Sequence, residues 1–300
     1  MTGKKTAYLA ATGFEADIER EIGQSFQRFG RLFLCDGPLK PAAWAQNIWL
    51  DPVVLDIQSI GDAARQLRAI QRNWALYDFQ LHRRARLIEE KLPYVSAKPV
   101  MFPAPAPTAP LGSWMLIDEN HVLASAVCSS PFKNGEVQFV EDREGPPSRA
   151  YLKLWEAFTV TGIYPQPGQK CIDLGACPGG WTWVLAELGC DVISIDKAPL
   201  DPKVMAMPNV TCRQESAFGL DPASVGRVDW LFSDIICYPE KLLGLVQKWI
   251  DSGLVKNFCC TIKFQGETDF KTADAFAAIP GSSLRHLSCN KHELTWMRLG

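Results

Sequence analysis

The chain predicts an α/β protein with a seven-stranded, mostly parallel sheet, preceded by a smaller α+β domain, and three observations predict it. From Gly168 onward, apolar runs of strand length alternate with helical segments, and the early runs are unbroken, as in strands covered on both faces. A stretch with five prolines and almost no charge, AKPVMFPAPAPTAPLG over residues 97–112, reads as a stiff linker or strap. Ahead of it, apolar residues recur at spacings of three and four, the period of amphipathic helices.

Taken in order, residues 1–96 form the smaller N-terminal domain, with helical patterns in AARQLRAIQRNWALYDF and LHRRARLIEEKL. Residues 97–145 hold the Pro-rich linker and a hairpin, SWMLID and HVLASAV around Glu119-Asn120. Residues 146–300 form the α/β domain, whose strands are KCIDLGA, DVISID, NVTCRQ, VDWLFSD, FCCTIKF, LRHLSC and ELTWMRL. The last two, joined only by Asn290, Lys291 and His292, should be an antiparallel pair.

Composition narrows the function classes. With 47% hydrophobic and 21% charged residues the chain is ordinary for a globular protein. Met1 to Lys5 leads into mixed sequence rather than a long apolar run, and no stretch approaches membrane-spanning length, so a cytoplasmic protein is expected. Ten cysteines are scattered without a C-x-x-C pair. Buried thiols such as Cys171, Cys212, Cys259 and Cys260 in a reducing compartment are expected, and a metal site is not. A net charge of −2 does not favour nucleic acid, so such a partner would have to be met by a local patch. His82-Arg83-Arg84-Ala85-Arg86, following a helix over Trp74–Phe79, is one candidate; a solvated helix face paired with Glu89 and Glu90 is the equally good alternative.

The stretch CIDLGACPGGWTW, Cys171–Trp183, carries the chemistry. A strand, a glycine turn and a helix start explain it, with Pro178 preset for a first helical turn, and that helix N-terminus would point unpaired N–H groups above the turn. Asp196 ends the next strand, where a nucleotide-binding βαβ unit places an acid for ribose hydroxyls. The pattern G-A-C-P-G-G lacks G-x-G-x-x-G, so the turn alone also fits a structural corner, and Asp196 alone a loop cap.

DLGACPGGW resembles the DLGAAPGGW motif of the FtsJ/RrmJ-like ribose 2'-O-methyltransferases, Rossmann-like class I enzymes that use S-adenosylmethionine. The likeness is greatest to the bacterial branch that methylates a cytidine ribose of 23S ribosomal RNA. Beyond the Cys177 form of the motif it rests on SSPFKNGEVQFVEDREGPPSRAYLKLWEAF and on GFEADIEREI, and it runs fairly continuously from Ser113 to Gly300. From Gln24 to Leu92 it is poor, so an RNA-binding region there would be a reduced or divergent form of the family's THUMP region.

The resemblance implies large-subunit RNA as partner and a Lys-Asp-Lys-Glu tetrad, which falls on Lys153, Asp234, Lys263 and Glu293. It assigns the base to Lys263. Lys153 is then the neighbouring cation, and Asp234 and Glu293 hold the lysines. Singly, Lys153 could be the wet face of a helix capped by Ser148, and Glu293 a solvated strand end. It implies cofactor contacts from Ser148, Asp173, Gly175, Cys177, Pro178, Gly179, Gly180, Trp181, Asp196 and Asp234. Two departures touch this set. Glu215-Ser216-Ala217-Phe218 stands where the family often has EDGF, so Glu215 and Ser216 take over the adenine contact, and Ala150 replaces a serine. Two rivals remain at this stage: an assembly factor with the fold but no turnover, and a nicotinamide-dependent oxidoreductase.

Overall fold

A computed structural model describes residues 4–23 and 26–300, which divide into two compact units, Met1–Phe139 and Val140–Gly300. Met1, Thr2, Gly3, Gln24 and Ser25, and with them part of the start from which the absence of a signal was read, lie outside the described residues.

The first unit contains β1 (Lys5–Ala10), α1 (Glu15–Ile22), β2 (Phe26–Phe29), β3 (Leu32–Asp36), β4 (Ala45–Leu50) and β5 (Val53–Asp56). It continues with α2 (Ile60–Ile70), β6 (Trp74–Leu76), α3 (His82–Glu89), β7 (Gly112–Leu116), β8 (His121–Ser125) and β9 (Val127–Cys128). The strands form two sheets, β2-β3-β1-β4-β9 and β5-β8-β7-β6. The predicted hairpin is β7–β8, and its alternation builds two cores. Trp114, Val122 and Ala124 pack with Ala63 and Leu67 of α2 and Ile88 of α3, whereas Met115 and Leu123 pack with Leu9, Leu34 and Trp49. The hairpin therefore lies at the centre of the first unit instead of between domains, and the boundary falls at Phe139 rather than at residue 96 or 145. Trp74–Leu76 corrects a second expectation. All three residues are buried and run parallel to β7, a two-faced burial that one side of a helix cannot give.

The second unit contains α4 (Tyr151–Thr161), β10 (Lys170–Leu174), α5 (Gly180–Glu187), β11 (Asp191–Asp196), α6 (Pro202–Met205), β12 (Val210–Gln214) and α7 (Pro222–Val225). It ends with β13 (Val228–Ser233), α8 (Pro239–Ser252), β14 (Val255–Lys263), α9 (Phe270–Ala277), β15 (Ser282–Arg285) and β16 (Glu293–Arg298). Its seven-stranded sheet has the order β12-β11-β10-β13-β14-β16-β15. The first five are parallel and β16 runs antiparallel to both β14 and β15. The order turns outward on both sides of β10 and β13, so the crevice above their carboxyl ends is where this topology binds ligands. One strand departs from expectation: β15 stops at Arg285, and residues 286–292, not three residues, lead into β16. The amides of Ser288 and Cys289 go to the Glu156 carboxylate on α4 instead of to a ladder. Cys171, Cys259 and Cys260 are buried as expected, but Cys212 is exposed because β12 is an edge strand. Among the described residues no helix is long and apolar enough to cross a membrane.

Candidate active site

The glycine turn is built as its residue types require. Gly175 follows β10 at φ 78°, and a Cβ there would stand 2.7 Å from that of Ile235. Gly179, at φ 112°, caps α5, so Pro178 precedes the cap rather than entering the first helical turn. A Cβ on Gly180 would meet the Ser148 hydroxyl at 2.6 Å. Asp196 at the end of β11 accepts the N–H groups of Cys177 and Ala198, each at 3.0 Å, tying the turn to the next strand. Beneath it, Asp173 is 1% exposed and accepts the Thr182 hydroxyl at 2.8 Å. Burial, against that hydrogen bond, pushes the Asp173 carboxyl up to about 7.

These residues surround a pocket of about 400 Å³, lined by Ser148, Asp173, Gly175, Cys177, Pro178, Gly180, Trp181, Asp196 and Asp234. Ser148 Oγ is buried there without a hydrogen-bond partner among the described residues. Ala150 lends its backbone carbonyl to the Trp181 indole at 2.9 Å. Glu215 and Ser216 are not brought to this pocket. Glu215 instead pairs with Arg213 at 2.5 Å, one strand-end residue gripping the next but one.

The tetrad assembles beside the pocket. Lys153 Nζ lies 3.1 and 3.3 Å from the two carboxylate oxygens of Asp234 and 2.6 Å from Glu293 Oε1. Lys263 Nζ lies 3.1 Å from Asp234 Oδ1 and donates to the Asp234 backbone oxygen at 2.5 Å. The ladder explains the convergence, because Lys263 is directly opposite Glu293 in the β14–β16 register and Asp234 follows the end of β13. The bland alternatives for single residues fall away: the Lys153 and Glu293 side chains are 12% and 7% exposed, and α4 has no side-chain cap. Burial draws the Lys153 ammonium down, but the carboxylates of Asp234 and Glu293 outweigh it and hold its pKa above the usual lysine value.

On the other side of Lys263 opens a second cleft of about 870 Å³, which shares Ala150, Ile236 and Lys263 with the first. Arg149, Lys291 and His292 give it a cationic and polar rim, and Phe264 and Ile236 an apolar wall. Sequence reasoning missed these wall residues, as well as Thr182 and Glu156. For Glu156 a signal existed, an acid one turn after Lys153 in an otherwise apolar run.

The basic cluster of the first unit divides. His82 and Arg86 pair with Asp78 at 2.7 and 3.0 Å, and Arg86 with Glu89 at 2.8 Å, the geometry of a solvated face. Arg83 makes no ion pair among the described residues and is exposed.

Residues 146–263 match the model of the FtsJ-like methyltransferase family. Ribosomal RNA large subunit methyltransferase M of Halorhodospira halophila is 40% identical over 107 residues, 35% of this chain and 31% of that protein. The protein of the same name from Shewanella frigidimarina is 31% identical over 144 residues, 46% of this chain and 40% of that one. The chain thus spans about a third of the length of the first of these relatives and well under half of the second. Among solved structures, the Methanococcus jannaschii fibrillarin pre-rRNA processing protein aligns with a TM-score of 0.38 and 15% identity, over 61% of this chain and 80% of its own.

Proposed function

We propose that this chain is an S-adenosylmethionine-dependent methyltransferase that methylates a ribose 2'-hydroxyl of large-subunit ribosomal RNA in the cytoplasm. The observation that carries this reading is that the two cavities meet at Lys263, with Lys153, Asp234 and Glu293 bonded around the junction. The FtsJ-like match supports the reaction class, and the names of the relatives support the RNA. Unit Met1–Phe139 would bind the RNA, with exposed Arg83 among its phosphate contacts.

The first pocket fits the cofactor on its own chemistry. It holds a buried hydroxyl at Ser148 that has no hydrogen-bond partner among the described residues, and glycines where a Cβ would intrude. Asp196 spends two of its roughly four acceptor positions on Cys177 and Ala198, which leaves acceptors for a ribose diol. The first turn of α5 favours an anionic group such as the amino-acid carboxylate. When bound, S-adenosylmethionine supplies an electrophilic methyl group on a sulfonium, with a neutral thioether as leaving group.

The chain's own residues do the rest. A ribose hydroxyl is a poor nucleophile until its proton is removed. Lys153, held protonated between two carboxylates, cannot accept that proton; Lys263 takes it at Nζ while the ribose oxygen forms its bond to carbon. Asp234 keeps both lysine side chains in place, and Glu293 holds Lys153. The Lys153 charge stabilises the developing alkoxide, and alignment of the reactants in the two cavities provides the remaining acceleration.

The test is transfer of labelled methyl from S-adenosylmethionine to large-subunit RNA lacking its modifications, read by mass spectrometry of nucleosides. Label on a ribose is expected. Label on a base, or calorimetric binding of a nicotinamide cofactor in place of S-adenosylmethionine, overturns the reading. Binding of cofactor and RNA without transfer would make the chain an assembly factor.

A further inference from the structure

Three residues beyond Lys153 on α4, Glu156 is 3% exposed. Carboxylates are costly to bury, and this one forms no ion pair among the described residues, the Arg285 guanidinium acting on it electrostatically from beyond ion-pair distance. Its oxygens instead accept the backbone N–H groups of Ser288 at 2.7 Å and Cys289 at 3.2 Å, strong charge-assisted bonds to the loop between β15 and β16. From there to Glu293 the chain is tied at each step. Asn290 Nδ2 donates to the Glu293 backbone oxygen and to Thr295 Oγ1, both at 3.2 Å, and Glu293 Oε1 accepts the Lys291 N–H at 3.3 Å. The same Oε1 meets Lys153 at 2.6 Å. One helix therefore grips one loop at two points, at Glu293 through Lys153 and at residues 288–289 through Glu156.

We infer that Glu156 is a positioning residue that sets Glu293 against Lys153 and, with it, the rim of the second cleft at Ser288, Cys289 and Lys291. Its consequence for catalysis rests on the function proposed above; its effect on Lys153 does not. An amide at position 156 turns an N–H toward backbone N–H groups, so one of the two loop bonds is lost and the loop shifts.

The test is a double-substitution cycle read in two ways, with folding checked by thermal unfolding. In protein labelled with 13C at lysine Cε, the titration midpoint of Lys153 should fall by about half a unit or more in Glu156→Gln. It should fall in the same direction in Glu293→Gln, and no further in the double variant than in Glu293→Gln. In the transfer assay, Glu156→Gln should lower kcat about tenfold or more, with S-adenosylmethionine affinity within about twofold of wild type. Glu156→Asp, which keeps the charge one methylene short, should fall between the two, and it serves the same cycle if Glu156→Gln does not fold. An unchanged Lys153 midpoint in a folded variant, or effects that add in full in the double variant, overturns the inference. Absence of methyl transfer in the wild type would overturn the proposed function, while the titration would still decide the role of Glu156.

Discussion

Two lysines share the Asp234 carboxylate, and their other neighbours separate the roles proposed for them. Lys153 has a second carboxylate, Glu293 at 2.6 Å, whereas the other partner of Lys263 is a backbone oxygen at 2.5 Å. An amine clasped by two anions keeps its proton, and a group meant to take a proton cannot be clasped so. Lys263→Ala should therefore leave S-adenosylmethionine binding nearly intact and cut methyl transfer by about 10²–10⁴-fold, the loss typical of a missing general base. Lys263→Arg should fail as badly, because a guanidinium keeps the charge and never gives up its proton. An Arg variant with most of its activity would make Lys263 an electrostatic clamp instead. In the pocket proposed for the cofactor, Asp196→Ala should weaken S-adenosylmethionine binding by about 1.5–3 kcal/mol by calorimetry, the size of hydrogen bonds to a charged acceptor. Unchanged affinity would reduce Asp196 to a turn brace for Cys177 and Ala198. At this scale the meeting of Lys153, Asp234, Lys263 and Glu293 was expected through the family resemblance, which places these four residue types in order along the chain. The partners of Asp173 and Glu156 were not, since nothing local marks Thr182 or the amides of residues 288–289 as the groups a buried carboxylate will find.

Elements were legible where apolar residues run unbroken or recur with a clear period, or where their turns demand glycine. The β10–α5 turn is the clearest case, with Gly175 at φ 78° and only 2.7 Å between an added Cβ and that of Ile235. Gly175→Ala meets both penalties, left-handed backbone and overpacking, and should lower the stability of the second unit by about 2–4 kcal/mol in denaturant titrations. A cost below about 1 kcal/mol would show that Ile235 moves aside easily. Two elements were misread because their residues are governed from outside the segment. Trp74-Ala75-Leu76 continues a helical spacing in sequence, yet its pairing with β7 decides it. LRHLSC has strand-like residues, yet a carboxylate from α4 takes the amides that would have extended β15.

Across the whole chain, the seven-stranded sheet could be read because unbroken apolar runs record burial on both faces. The unit boundary could not be read from the prolines, because the segment that follows them supplies the central hairpin of the first unit, and only long-range packing reveals it. The chemistry at the sheet's centre also reaches the stability of the unit as a whole. Asp173, with its carboxyl raised to about 7 by burial, is favoured in its neutral form by the fold, while an unfolded aspartate titrates near about 3.9. A raised carboxyl contributes stability that is present in full below the unfolded pKa and is lost as pH rises through the folded one. The second unit should accordingly lose stability between about pH 4 and pH 7, by up to roughly 4 kcal/mol from this group alone at 1.36 kcal/mol per unit of separation. Glu156, also raised by burial, acts in the same direction, so the wild-type slope is not specific to Asp173. The difference between wild type and Asp173→Asn is. Asparagine still accepts from Thr182 without a charge to lose, so calorimetric unfolding of the variant without cofactor should show a shallower decline over the same range. Equal slopes in the two proteins would mean that Asp173 is ionised in the fold and that its charge is met by partners other than Thr182.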